Sequence, residues 1–126
     1  MKLTALTPMF LTNELEETID FYVNIIGFKC EAFEKEWGWA MLSMDNVNIM
    51  IAKPLKNEVF EAPKFTGSIY LFPDNVDEAW EMLKNKAKVS YPIENFDYGM
   101  REFAIYDNNG YLLQFGQEIE ENQVQK

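Results

Sequence analysis

An apolar pattern that occurs twice constrains this chain more than any other feature. Leu3 to Leu11 are apolar and Thr-rich and read as a strand. Leu15, Ile19, Tyr22 and Val23 recur at spacings near three and four, which places one apolar stripe on a helix that stops before Gly27. Thr12-Asn13-Glu14 offers Asn13 as the cap of that helix. Phe28 to Phe33, Trp39 to Ser43 and Val47 to Ala52 have strand-like content, the last two separated by the turn formers Asp45-Asn46. The first half therefore reads β-α-β-β-β. Residues 54–65, with two prolines and several charges, read as a surface linker. The order then returns: Ser68 to Phe72 is a strand, Asp74 or Asn75 opens a helix marked by Val76, Trp80 and Leu83, and Val89 to Tyr91 supplies another strand. Glu102 to Tyr106 and Tyr111 to Gly116 flank the turn Asp107-Asn108-Asn109-Gly110. Leu15 falls on Val76, Ile19 on Trp80 and Thr7 on Ser68 at a constant offset, which argues for two copies of one unit. Each copy alone would leave one sheet face bare. Chance agreement of apolar residues would give the same overlay, so periodicity by itself leaves the repeat open.

The remaining composition narrows the functional classes. The 126 residues, 48% of them hydrophobic, suit a single domain over 1–126 with modules at about 2–53 and 66–117, followed by a polar tail 118–126 expected to fray. Histidine is absent, which excludes Ser-His and Cys-His nucleophile pairs and any His-ligated metal. The lone Cys30 cannot close an intramolecular disulfide, and neither a charged-then-apolar leader nor a long apolar run is present, so a soluble cytoplasmic protein is expected. Eleven basic against twenty-one acidic residues give a net charge of −10, which repels nucleic acid and anionic membranes and attracts a cationic ligand, although it serves solubility first.

The segment Tyr98-Gly99-Met100-Arg101-Glu102-Phe103, continuing through Asp107-Asn108-Asn109-Gly110 to Phe115, resembles the closing motif of bleomycin-resistance proteins: an aromatic-Gly-x-Arg-Glu-Phe strand leading into an Asp-x-x-Gly turn. Thr7-Pro8-Met9-Phe10-Leu11, then Leu15 to Tyr22 and Gly27-Phe28, is similar to the first module of the glyoxalase, bleomycin-resistance and extradiol-dioxygenase superfamily, also called the vicinal-oxygen-chelate superfamily. The resemblance implies an α+β fold of two β-α-β-β-β modules whose curved sheets surround a crevice, usually completed in a homodimer. It also implies that metal-dependent members take ligands, commonly His, Gln or Glu, from the first and fourth strands of each module. The matching positions here are Thr7, Met50, Ser68 and Gln114, of which only Gln114 is an ordinary ligand. These positions are therefore expected to be degenerate, and neither a metal nor another cofactor is expected.

In the resembled proteins aromatic side chains sandwich flat heteroaromatic parts of a drug, and here Phe33, Trp37, Trp39, Tyr70 and Tyr98 are the candidates, with Asp97 adding negative charge beside Tyr98. Trp37, in the polar run Glu34-Lys35-Glu36-Trp37-Gly38, suits contact with a ligand or another subunit. Phe72 and Phe103 are assigned to packing. Glu31, Glu34 and Glu36 are read first as a solvated face, and with Asp97 they would complement a cationic tail. Arg101 and Glu102 are expected to pair across the sheet surface. The reading that follows is a metal-free binding protein for a cationic, aromatic-bearing small molecule such as a bleomycin-family antibiotic, with no catalytic residues assigned. A metal-dependent lyase or dioxygenase of the same fold, or a regulatory or interaction module, are the alternatives.

Overall fold

Pro8 marks where the first sheet begins. Its carbonyl accepts a hydrogen bond from the Met50 amide (2.9 Å), but proline has no N–H to return, so pairing starts one residue later. In this computed structural model, which describes residues 1–120, the first strand is accordingly short: β1 covers Met9–Leu11, not Leu3 to Leu11, and Thr7 lies before it rather than on it. The chain continues through helix α1 (Leu15–Asp20) and a π-helical segment (Phe21–Ile26) to β2 (Lys29–Glu34), β3 (Trp39–Met44) and β4 (Val47–Ala52). The strand order is β1-β4-β3-β2, with β1 parallel to β4 and the others antiparallel. Residues 1–63 form one compact unit, and a second begins at Lys64, within the expected linker.

The second unit repeats the first. It comprises β5 (Ile69–Leu71), α2 (Val76–Leu83), β6 (Lys88–Asn95), β7 (Met100–Tyr106) and β8 (Leu112–Glu118), ordered β5-β8-β7-β6 with β5 parallel to β8. Two four-stranded mixed sheets, each with one helix-bearing crossover, make this an α+β protein built from two β-α-β-β-β modules. No helix among the described residues is long and apolar enough to cross a membrane.

Each sheet buries one face. In the first unit Phe10, Ala40, Leu42, Ile49 and Ile51 alternate inward and join Leu15, Tyr22 and Ile26 in the core. In the second, Phe103, Ile105, Leu113 and Phe115 do the same, with the Phe103 and Phe115 rings stacked 4.9 Å apart and Trp80 of α2 at 5.2 Å from Phe103. The first helix departs from the expected stripe. Its buried residues are Leu15 and Thr18, then Phe21, Tyr22 and Ile26, because the π turn widens the helix and brings Phe21 and Tyr22 inward together. Gly27, at φ +110, ends it by donating back to the Tyr22 carbonyl. Asn13 does not cap α1. Thr12 Oγ1 accepts from the Glu14 amide (3.0 Å), and the Asn13 amide donates to the Phe60 carbonyl. In α2 the cap is Asn75, whose Oδ1 accepts from the Glu78 amide (3.1 Å).

The expected tail begins too early. Glu118 closes β8 and the Ile119 amide donates to the Gly99 carbonyl (2.9 Å), while residues 121–126 lie outside the described residues. At the other end of the hairpin, Asp107 Oδ1 accepts from the amides of Asn109, Gly110 and Tyr111 at 2.8 to 2.9 Å. The Asp-x-x-Gly sequence is thus a turn built around one carboxylate. Asp107→Ala leaves three turn amides without this acceptor and should cost about 2–3 kcal/mol. Urea unfolding should show a lower midpoint with little change in slope.

Candidate functional site

Strand alternation decides which side chains share the face turned away from each helix. In the first unit, Trp39 opposes Ala52, and Met50 opposes both Met41 and Met9, so this face carries a tryptophan and three methionines. In the second unit Glu102 opposes Gly116, and Gln114 opposes both Ala104 and Tyr70. The two registers superimpose: Trp39 corresponds to Glu102, Met50 to Gln114 and Met9 to Tyr70. One copy of the repeat is apolar on this face, and the other is polar.

The polar face has Glu102 at its centre. Glu102 is 1% exposed, and a buried carboxylate is costly unless its oxygens are hydrogen-bonded. The Tyr70 hydroxyl donates to Oε1 (2.7 Å), the Tyr91 hydroxyl donates to Oε2, and Gln114 Nε2 approaches Oε2 (3.5 Å) while donating to the Tyr91 oxygen (2.9 Å). Ser68 Oγ donates to Gln114 Oε1. Burial, then the hydrogen bond to Glu102, pushes the Tyr91 phenol up to about 12, and the same causes hold the Tyr70 phenol well above its usual range. The Tyr98 phenol is also raised, first by burial and next by its proximity to the Glu102 carboxylate. No Lys or Arg among the described residues forms an ion pair with Glu102.

Tyr70 reaches Glu102 only because of Gly116. Tyr70 is on β5 and Glu102 on β7, so the Tyr70 ring must cross β8 at Gly116. A Cβ there would lie 1.9 Å from the Tyr70 oxygen and 2.5 Å from Cζ. Further aromatic rings extend from this centre: Phe72 lies 5.0 Å from Tyr70, Phe96 lies 5.7 Å from Tyr91, and Tyr98 stacks on Phe96 at 5.5 Å. Phe72 and Tyr98 are 75% and 65% exposed, so they are rims of this face and not core.

Four of the residues singled out in the sequence, Ser68, Tyr70, Tyr98 and Gln114, meet around Glu102, and Asp97 is exposed beside Tyr98. Trp39 and Met50 belong to the apolar face of the first unit. Trp37 occupies the β2–β3 turn and is 79% exposed. Phe33 opposes Ala40, so it points to the helix-bearing face and not to that of Trp39, because a bulge at Cys30/Ala32 shifts the β2 register. Phe72 is not packed in the core, since it follows the last paired residue of β5 and precedes Pro73. Arg101 and Glu102 do not pair. Arg101 grips Asp77 of α2 through Nε and Nη2 (2.8 to 3.1 Å) and Asn95 through Nη1 (3.1 Å), on the face opposite Glu102. Glu102, Tyr91, Phe96 and Gly116 were not singled out as site residues. The turn at Asp107–Gly110 was the signal for two of them, because counting back from it along both strands sets Glu102 opposite Gly116.

Tyr91 and Tyr70 hold their protons in the folded state, so this stabilisation is complete below the ordinary phenol value of about 10 and is lost as pH rises through about 12. Alkaline titration followed by phenolate absorbance should therefore show late-ionising tyrosines. In Gly116→Ala the Tyr70 ring is displaced from Glu102, and one of these should ionise nearer pH 10. An unchanged curve would argue against the contact.

Residues 5–115 match the glyoxalase/bleomycin resistance protein/dioxygenase superfamily. Solved structures of similar fold include TioX from Micromonospora sp. ML1, which is 16% identical, with 92% of this chain and 99% of that one covered and a TM-score of 0.75. A glyoxalase/bleomycin resistance protein/dioxygenase superfamily member from Sphaerobacter thermophilus is 20% identical, with coverage of 93% and 98% and a TM-score of 0.77. Lactoylglutathione lyase from Agrobacterium tumefaciens is 14% identical, with coverage of 92% and 95% and a TM-score of 0.69. No curated protein matches the sequence.

Proposed function

Because the chain belongs to the glyoxalase/bleomycin resistance protein/dioxygenase superfamily, we propose that it is a metal-free binding protein that sequesters a small cationic, aromatic-bearing molecule. The observation that carries this reading is Glu102, a buried carboxylate with no cationic partner among the described residues, ringed by tyrosines and exposed aromatic rims. Such a face attracts positive charge and flat rings together. The net charge of −10 acts in the same direction at long range and opposes binding to phosphate backbones. Bleomycin-family antibiotics, which combine a heteroaromatic part with a cationic tail, are the named candidates. A homodimer, as the superfamily resemblance implies, is the form we assign, and the cytoplasm its location.

The residues at the superfamily's metal-ligand positions do not fit a divalent transition metal. Thr7 and Ser68 supply hydroxyls, Met50 supplies a soft thioether, and both ends of the Gln114 amide are already bonded to Ser68, Tyr91 and Glu102. Among the described residues no group of three His, Cys, Asp or Glu side chains gathers elsewhere to replace them. Protein purified without a His tag should contain far less than about one transition metal per chain, and a stoichiometric metal would overturn this part of the reading.

Trp80, packed on Phe103 one residue from Glu102, makes the second unit visible by fluorescence, and Trp37 and Trp39 report on the first. Titration with metal-free and copper-loaded bleomycin should give saturable quenching at about one ligand per chain, with a dissociation constant near or below about 1 μM. No change up to high micromolar ligand, in protein shown to be folded, retires bleomycin as the ligand.

A further inference from the structure

The hydrogen bonds around Glu102 indicate what kind of cation this face accepts. A carboxylate has about four lone-pair sites. Here the Tyr70 hydroxyl donates to Oε1, the Tyr91 hydroxyl donates to Oε2 with Gln114 Nε2 at 3.5 Å from the same oxygen, and Glu102 is only 1% exposed. The negative charge remains, but both oxygens are bonded to protein donors and shielded from solvent. A primary ammonium brought to this face would give up its water shell and find no accessible carboxylate oxygen for its N–H groups. A cation without N–H groups loses little hydration and needs only the charge and the aromatic faces, which Phe72 and Tyr98 expose at the rim.

We infer that the face centred on Glu102 selects cations that donate no hydrogen bonds, namely quaternary ammonium groups and N-alkylated heteroaromatic rings, over primary ammonium groups. This rests on the proposed binding function and narrows its ligand class. Tyr70 and Gly116 are the specificity-determining pair: Gly116 admits the Tyr70 ring, and the Tyr70 hydroxyl covers Oε1 against a ligand donor.

Three matched probes test this: benzyltrimethylammonium, benzylammonium and the neutral benzyl alcohol, each titrated into the full chain and followed by amide chemical shifts on β5, β7 and β8. The quaternary probe should bind at least about tenfold tighter than either of the others. Glu102→Gln should remove that preference. Should Glu102→Gln not fold, Phe72→Ala and Tyr98→Ala alter exposed rings only and should each weaken the quaternary probe several-fold. Tyr70→Phe opens Oε1 and should improve binding of benzylammonium, narrowing the ratio, which a merely structural role of Tyr70 does not predict. Equal or tighter binding of benzylammonium in the wild-type chain overturns the inference. Equal binding of benzyl alcohol and the quaternary probe also overturns it while leaving a ligand face in place. No shift on these strands with any probe overturns both the inference and the placement of the ligand on this face.

Discussion

The register of the β7–β8 hairpin is the constraint on which the second unit depends, and one carboxylate sets it. Asp107 draws three successive amides onto Oδ1, which holds the turn so that Tyr106 opposes Leu112 and each pair behind it follows in step. Four pairs further back, Glu102 meets Gly116, the residue that lets Tyr70 pass. A slip of one residue would send Glu102 to the helix side among Phe115 and Leu113 and place Phe103 under the tyrosines. Arg101 opposes such a slip from the other face, since its guanidinium fork is fixed on Asp77 of α2. The turn and the Arg101 clamp together determine where the buried charge lies.

The repeat shows how one backbone carries two chemistries. The pairings that put Trp39, Met41, Met50 and Met9 on one face of the first sheet put Glu102, Ala104, Gln114 and Tyr70 on the equivalent face of the second. The cores stay alike because they are built from the alternate positions: Leu42 and Ile49 in one, Ile105 and Leu113 in the other. Alternation with period two separates the requirements of folding from those of the site. One face satisfies the need to bury apolar surface, and the other is free to diverge. The methionine face is adaptable and polarisable, whereas the tyrosine-carboxylate face is rigid and fully hydrogen-bonded.

Most of the fold was legible because it rests on short-range signals. The stripe Val76, Trp80, Leu83 and the Asn75 cap place α2, and Asp45-Asn46 and Asp107 to Gly110 place two hairpins. The failures arise where longer-range effects decide. The N-terminal strand was overextended because Leu3 and Leu6 have strand-like chemistry, yet pairing begins only after Pro8 and leaves both exposed. The π turn at Phe21–Ile26 leaves no mark in a 3.6-residue pattern. Tyr70, Tyr98, Ser68 and Gln114, which the fold gathers near Glu102, were singled out through aromatic content or superfamily position. Glu102 was missed because a charged residue beside an arginine on a strand reads as a surface pair, and the adjacent Phe103-Ala104-Ile105, buried on both faces, hides which side Glu102 occupies.

That same ambiguity explains why Glu102 can be buried at all. A lone carboxylate facing solvent between strands would need no support. One covered by Tyr70 and Tyr91 must have each oxygen satisfied, and each donor comes from a different element: Tyr70 from β5, Tyr91 from β6 and Gln114 from β8. Such convergence holds all four strands in one arrangement, since moving any of them leaves a buried charge short of a donor. Pro92, which interrupts pairing in β6, leaves that edge strand irregular on either side of Tyr91, and the Tyr91 hydroxyl then ties the strand back to β7 and β8 through Glu102 and Gln114. The proposed site and the stability of the second sheet therefore rest on the same set of bonds, so this face is organised without any ligand.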